Sequence, residues 1–229
     1  MDQIDEWTNR QKMVISEKKT KAMLFNFTNN YQFTTRLQLK GKNVEMVDKM
    51  KILGTVVTSN LSWDDNCREL IRKVNSRMQL LRGVKSFGAS REEMVHLWIM
   101  FCRRVIEQSC AVWGTSLTQE NIDDLETTQK TFSKLVLGDK YKDYENAKML
   151  LDLDSLQKRR QDICLKFAKT GIKNGKLDDL FPTNEKKHKM KSREISKFKV
   201  NFANTDRLKN SSIITMQNML NEDDRRNTS

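Results

Sequence analysis

Residues 50–84 read MKILGTVVTSNLSWDDNCRELIRKVNSRMQLLRGV, and within them the spacing of apolar side chains changes. Residues 50–57 are rich in Val, Ile and Thr and predict a strand. From residue 61 onward Cys67, Leu70, Ile71, Val74, Met78, Leu81 and Val84 recur at intervals of three and four. That is the period of a helix with one buried face, and Phe87-Gly88 supplies its stop. Sheet therefore gives way to helix near residue 61.

Toward the N-terminus the strand signals continue. Residues 20–28 predict a strand, and residues 33–39 alternate sides with period two. Lys40-Gly41-Lys42-Asn43 is a turn signal, and Val44-Glu45-Met46-Val47 completes a predicted hairpin. Residues 2–13 predict a short helix with Ile4, Trp7 and Met13 as apolar markers. Three or four strands with so little helix to cover them look like the end of a larger sheet.

Toward the C-terminus the helical period persists. Ser90-Arg91-Glu92-Glu93 is a capping-box pattern that opens a second helix carrying Met94, Leu97, Trp98, Phe101, Cys102 and Val105. Thr118 can cap a third, with Ile122, Leu125, Phe132, Leu135 and Val136, ending at Gly138. Ser155 can cap a fourth, with Leu156, Ile163, Cys164 and Phe167, ending near Gly171. Beyond Pro182 the pattern dissolves, apart from a helical hint at Ile213, Ile214, Met216 and Leu220. The expected fold is α+β, mostly α: a small antiparallel strand and hairpin unit, a helical bundle, and a basic, partly disordered tail. The expected boundaries are 1–60, 61–140, 141–181 and 182–229.

Composition sets limits on function. The 229 residues carry 42 Lys+Arg against 30 Asp+Glu, a net charge of +12. The charge is uneven: residues 61–155 hold 14 basic and 15 acidic groups, whereas residues 156–209 hold 16 and 6. A chain so polarised suits a polyanion, with nucleic acid the expected partner, or else a solvated, partly disordered basic tail; composition alone does not separate the two. One proline and eight glycines exclude collagen-like and Pro-rich classes. The longest apolar run, residues 97–102, is far short of the roughly twenty residues of a membrane span. The acidic start Met1-Asp2-Gln3-Ile4-Asp5-Glu6 is unlike a secretory signal. Cys67, Cys102, Cys110 and Cys164 form no C-x-x-C pair and read as free, buried thiols. The expected location is intracellular, cytoplasmic or nuclear, with no membrane partner and no secretion.

A search for catalytic chemistry finds little. His96 has no Cys or carboxylate at metal-ligand spacing, and His188 lies in Lys186-Lys187-His188-Lys189. No nucleophile elbow, Walker loop or dinucleotide fingerprint occurs. The pairs Asp64-Asp65 and Asp123-Asp124 read as complements to helix starts, and Asp178-Asp179 and Asp223-Asp224 as solvated. No metal site is expected. Basic side chains do gather where sheet becomes helix. Lys18, Lys19 and Lys21 precede the first strand, Lys49 and Lys51 lie at the last, and Arg68, Arg72, Lys73 and Arg77 stud the first long helix. Such side chains neutralise phosphates without reading bases. Glu69 and Lys73, at i and i+4, can instead pair with each other.

The order of these pieces resembles a known family. Trp7-x-x-x-x-Lys12-Met13-x-Ile15-Ser16-x-x-Lys19-Thr20-x-x-Met23 is similar to a block near the end of the palm in non-LTR retrotransposon reverse transcriptases. Lys51-Ile52-Leu53-Gly54-Thr55-Val56-Val57, followed by Leu61-Ser62-Trp63, resembles the hairpin that in that family grips the primer and leads into the thumb. The stretches Lys73-Val74-Asn75-Ser76-Arg77-Met78-Gln79-Leu80-Leu81-Arg82, Ala111-Val112-Trp113-Gly114, Leu125-Glu126-x-x-Gln129-Lys130 and Ser155-Leu156-x-x-Arg159-Arg160-x-x-x-Cys164-x-x-Phe167 resemble its later helices. The likeness spans residues 4–170.

The resemblance implies an RNA-directed DNA polymerase in which palm aspartates hold two magnesium ions. Those aspartates belong to an F/Y-x-D-D turn that would precede Trp7, so the expectation is a fragment lacking them, with no cofactor of its own and with the upstream palm and fingers as a missing partner. It also implies that Leu53 and Gly54 join the basic residues in binding a primer–template duplex. Lys19 becomes a general-acid candidate by resemblance alone, idle without the aspartates. Ser16 where Asn is usual and Gln108 where an aromatic is common suggest a diverged or decaying copy. The alternatives are a working part of a polymerase polyprotein and a pseudogene product. Residues 64–88 are also similar to an N-terminal segment of the AlkB-type tRNA-modifying dioxygenase/methyltransferase, without its iron ligands or methyl-donor loop.

Overall fold

A computed structural model describes residues 2–27, 37–39, 41–184 and 196–228. The fold is α+β and mostly α. The chain divides into two compact units, Met1–Asn66 and Cys67–Ser229.

The first unit opens with helix α1 (Asp2–Arg10). Of its sequence markers, Trp7 and Met13 are 53% and 47% exposed, so neither of these two is buried. The strands are shorter than the apolar pattern suggests. Among the described residues of the predicted strand 20–28, only β1 (Lys21–Ala22) pairs, in parallel with β4 (Glu45–Met46), and Thr28 lies outside the described residues. The predicted hairpin survives as β2 (Gln38–Leu39) against β3 (Lys42–Asn43), while residues 33–36 lie outside the described residues. Its second arm is corrected: Glu45 and Met46 leave β3 for β1.

A larger correction concerns residues 50–57. They form not one strand but an antiparallel hairpin, β5 (Lys49–Ile52) with β6 (Thr55–Thr58), turning at Leu53-Gly54. Both turn residues have positive φ, 47° for Leu53 and 91° for Gly54. That is the requirement of a two-residue type I′ connection, whose twist matches the flanking strands. A leucine at the first turn position hides the signal, because Asn or Asp normally marks it. Val56 N–H donates to Asn66 Oδ1 at 3.0 Å, which anchors β6 to the start of the next helix.

Helix α2 (Asp64–Ser86) begins there, and Gly88 follows its end at φ 89°. Cys67, Leu70, Val74, Met78 and Leu81 are buried along one face, as the three-and-four spacing predicts. The second unit continues with α3 (Arg91–Leu97), whose capping box is complete. Ser90 Oγ accepts from Glu93 N–H at 3.2 Å, and Glu93 Oε2 accepts from Ser90 N–H at 2.8 Å. A π-helical turn, Trp98–Arg103, interrupts this helix before α4 (Arg104–Glu107). The extra residue shifts the register. Met94, Trp98, Cys102, Val105 and Ile106 face inward, whereas Phe101, expected in the core, is 54% exposed.

Helix α5 (Cys110–Trp113) is a single turn entered through Ser109 at φ 54°. Thr118 caps α6 (Gln119–Leu137), Asp143 caps α7 (Tyr144–Leu151), and Ser155 caps α8 (Leu156–Lys173). The helix boundary near Gly171 moves two residues on, and Phe167 is 48% exposed rather than buried. The indole of Trp98 stacks on Phe132 at 4.6 Å between ring centres.

Part of the predicted tail is folded. After α9 (Asp206–Lys209), α10 (Ser212–Thr228) packs on α8 and α5. Met216 and Leu220 join Cys164, Ala168, Phe181 and Phe198 in one buried cluster. Polar residues hold this irregular segment. Asn221 accepts from Phe198 N–H at 2.8 Å and donates to its carbonyl at 3.0 Å, while Gln217 donates to Leu180 O at 2.8 Å. Asp223 and Asp224, predicted as solvated, pair with Lys169 at 2.6 Å and Lys197 at 3.4 Å. The remaining tail, residues 185–195, lies outside the described residues.

Candidate nucleic-acid interface

The basic residues singled out in the sequence are distributed over both units. In the first, Lys18 and Lys19 are exposed on a short 3-10 turn, Glu17–Lys19. Lys21 on β1 pairs across the strands with Glu45 at 3.2 Å. Lys49 and Lys51 are two apart on β5 and therefore share a face, and Lys49 reaches Asp65 Oδ2 at 2.8 Å. Leu53, at the hairpin tip, is 90% exposed beside Gly54.

In the second unit Arg68 and Arg72 are exposed on α2, and Lys73 and Arg77 are half-buried. Arg72 forks onto Glu69 at 3.0 and 3.2 Å, which raises its guanidinium above the ordinary value. Lys73 also reaches Glu69, at 3.7 Å. Arg77 Nη1 donates to the carbonyl of Phe101 and so ties α2 to the π-helical turn. The helix is thus partly self-neutralised, as the Glu69–Lys73 spacing anticipates. Arg72 is exposed, so its pairing with Glu69 is screened by water and a phosphate can compete with that carboxylate for it.

Polar groups from residues 125–130 and 155–167 meet others in the interior. Trp98 Nε1–H donates to Gln129 Oε1 at 3.3 Å, and Gln129 Nε2–H donates to Tyr144 Oη and Asp154 O, both at 2.9 Å. The Tyr144 hydroxyl donates to Glu126 Oε2 at 2.5 Å, and Gln157 N–H donates to Glu126 Oε1 at 2.7 Å. Burial and the neighbouring Glu126 push the Tyr144 phenol well above its ordinary value, so it stays a donor. Glu107 receives Arg159, with Arg103 3.5 Å away. Gly114 packs on Arg160, and Cys164 Sγ lies 3.6 Å from Cys110 O. Of the motif residues, Trp113, Leu125, Glu126, Gln129, Arg160 and Cys164 are buried in the core.

All four cysteines are free and buried, and burial pushes the Cys102 thiol up to about 11. His96 is exposed on α3. Asp64 accepts from Ser62 Oγ at 2.6 Å in the first turn of α2. Asp123 and Asp124 sit in the second turn of α6, one turn later than predicted, and Asp123 accepts from Gln119. Among the described residues no group of three or more His, Cys, Asp or Glu side chains comes together to hold a metal ion. Nor is any described helix long and apolar enough to cross a membrane.

One basic cluster escaped the sequence reading. Lys130 and Lys134 on α6 lie over the rings of Tyr144 and Tyr141, each 5.4 Å from the centroid, and Lys148 lies 5.1 Å from that of Tyr144. The alternation Lys140-Tyr141-Lys142-x-Tyr144 was its available signal.

Comparison with known protein families, with curated proteins and with solved structures finds no match to this chain.

Proposed function

We propose that the chain is part of a non-LTR retrotransposon reverse transcriptase, and that it holds the backbone of a primer–template duplex without performing nucleotide addition itself. The observation that carries this reading is the tip of the β5–β6 hairpin. Leu53 is an apolar residue held at φ 47° with 90% of its surface in water. A left-handed non-glycine residue costs about 1–2 kcal/mol, and the exposed side chain recovers none of that by burial. A leucine at that position, two residues after Lys51 and next to Gly54 in the segment resembling the primer-gripping hairpin, fits a contact made with nucleic acid. Lys49 and Lys51 on β5, and Arg68 and Arg72 on α2, supply cations for phosphates. The 229 residues contain no F/Y-x-D-D run, and no polymerisation step is assigned to them.

The test is the affinity of the purified chain for a labelled RNA–DNA duplex, measured by fluorescence anisotropy across salt concentrations. Phosphate contacts release counterions, so binding should weaken at least tenfold between about 50 and 200 mM salt. A constant that does not change over that range overturns the proposal.

A further inference from the structure

We infer that the turn joining α6 to α7 is a binding site for single-stranded nucleic acid. The helices and the turn bring five lysines around two tyrosines within nineteen residues of sequence, 130–148. Lys130 and Lys134 stand at i and i+4 on one face of α6, a like-charge spacing that disfavours the helix. Among the described residues, none of Lys130, Lys134, Lys140 and Lys142 forms an ion pair with a carboxylate. The contrast with α2, where Glu69 takes up both Arg72 and Lys73, is direct. Two of the three acidic neighbours are already engaged. Asp143 accepts from Asn146 N–H at 2.8 Å to cap α7, and Glu145 pairs with Lys148 at 2.9 Å.

The tyrosines explain why the cations stay assembled. An ammonium over a ring face is attracted by the ring quadrupole, so Lys130 and Lys134 are positioned without being neutralised. Gly138, at φ 53°, ends α6, and the short turn Gly138–Lys140 presents Tyr141 half-buried between exposed Lys140 and Lys142. Cations alternating with a partly exposed ring form the pattern that grips unpaired strands: lysines follow the phosphates and the ring takes a base face. Bases within a duplex are stacked and offer no such face. That chemistry favours a single strand over the duplex assigned to Lys49, Lys51, Arg68 and Arg72, and the site shares no residue with that proposal.

The experiment measures anisotropy of a labelled oligo-dT and of a duplex of equal length with the full chain. Replacing the ring, Tyr141→Ala, should weaken oligo-dT binding about tenfold, as should the combined Lys134→Gln, Lys140→Gln and Lys142→Gln. Tyr141→Phe keeps the ring and should bind like the parent, which separates loss of stacking from loss of folding; circular dichroism checks each variant. Arg68→Ala with Arg72→Ala should weaken the duplex and spare oligo-dT. Unchanged oligo-dT affinity in the folded Tyr141→Ala and triple-lysine variants overturns the inference and leaves the duplex proposal standing. Displacement of oligo-dT by poly-glutamate, equally from parent and Tyr141→Ala, overturns it in favour of an acidic peptide.

Discussion

Gly114 and Arg160 are packed so closely that a Cβ on the glycine would lie 3.4 Å from Arg160 Cδ and 2.7 Å from the carbonyl oxygen of Cys110. The second distance is to backbone, which cannot swing aside as a side chain can. Gly114→Ala must therefore displace α5 or α8. The expected cost is about 1–3 kcal/mol, the usual range for overpacking, read as a lower denaturant midpoint with unchanged slope. A midpoint equal to the parent's would show that the two helices can separate freely.

Arg160 itself is 2% exposed, and its three guanidinium nitrogens have no hydrogen-bond partner among the described residues. Burial lowers its pKa from the ordinary value, and the nearby Glu126 works in the opposite direction. Glu126 takes its own hydrogen bonds from Tyr144 and Gln157 and does not need the arginine to satisfy it. Replacing a poorly paired buried charge by an apolar side chain of similar length is neutral or stabilising by about 1–4 kcal/mol. Arg160→Met should accordingly leave the midpoint unchanged or raise it. A loss above about 1 kcal/mol would mean that the charge has a role in the folded chain that these contacts do not reveal.

These two residues also show how far the sequence could be read. Helix positions were legible wherever apolar spacing and a cap coincided: Ser90, Thr118 and Ser155 all cap as their sequence context predicts. Helix α10 was half legible, because Asn221 and Gln217 look like solvated polar residues until Phe198 and Leu180 fold over them. The strands were least legible. Pairing in the first unit depends on turns, and Leu53 occupies a left-handed position that residue preferences assign to Asn, Asp or Gly. Among the candidate basic residues, charge and spacing gave location but not engagement. Nothing in the sequence separates Arg72, held by Glu69, from Lys134, held over a ring.

The capping box of α3 gives a pH dependence with a definite sign. Glu93 accepts the Ser90 N–H, and this hydrogen bond lowers its pKa from the ordinary carboxylate value. A group whose folded pKa is depressed adds stability at pH above its unfolded value, about 4.3, and loses it as pH falls through the folded value. Thermal melts of Glu93→Gln and parent should therefore differ at neutral pH and converge as the pH falls through the depressed folded value of Glu93. A gap that persists at low pH would assign the difference to the amide rather than to the charge.

Leu53 separates stability from function most sharply. Leu53→Asn turns the hairpin tip into Asn-Gly, the preferred pair for a turn with two positive φ values. Asn accepts the left-handed conformation with less strain than Leu, so the variant should gain about 0.5–1 kcal/mol. With Leu53 90% exposed, little buried area is lost to offset that gain. The same substitution removes the apolar tip proposed to touch the duplex, and duplex affinity should fall several-fold at fixed salt. Because Asn carries no charge, the slope of affinity against salt should stay as it was. A variant that is more stable and binds as tightly as the parent would make Leu53 a tolerated strain with no role in duplex binding, and the observation that carries the proposed function would be gone.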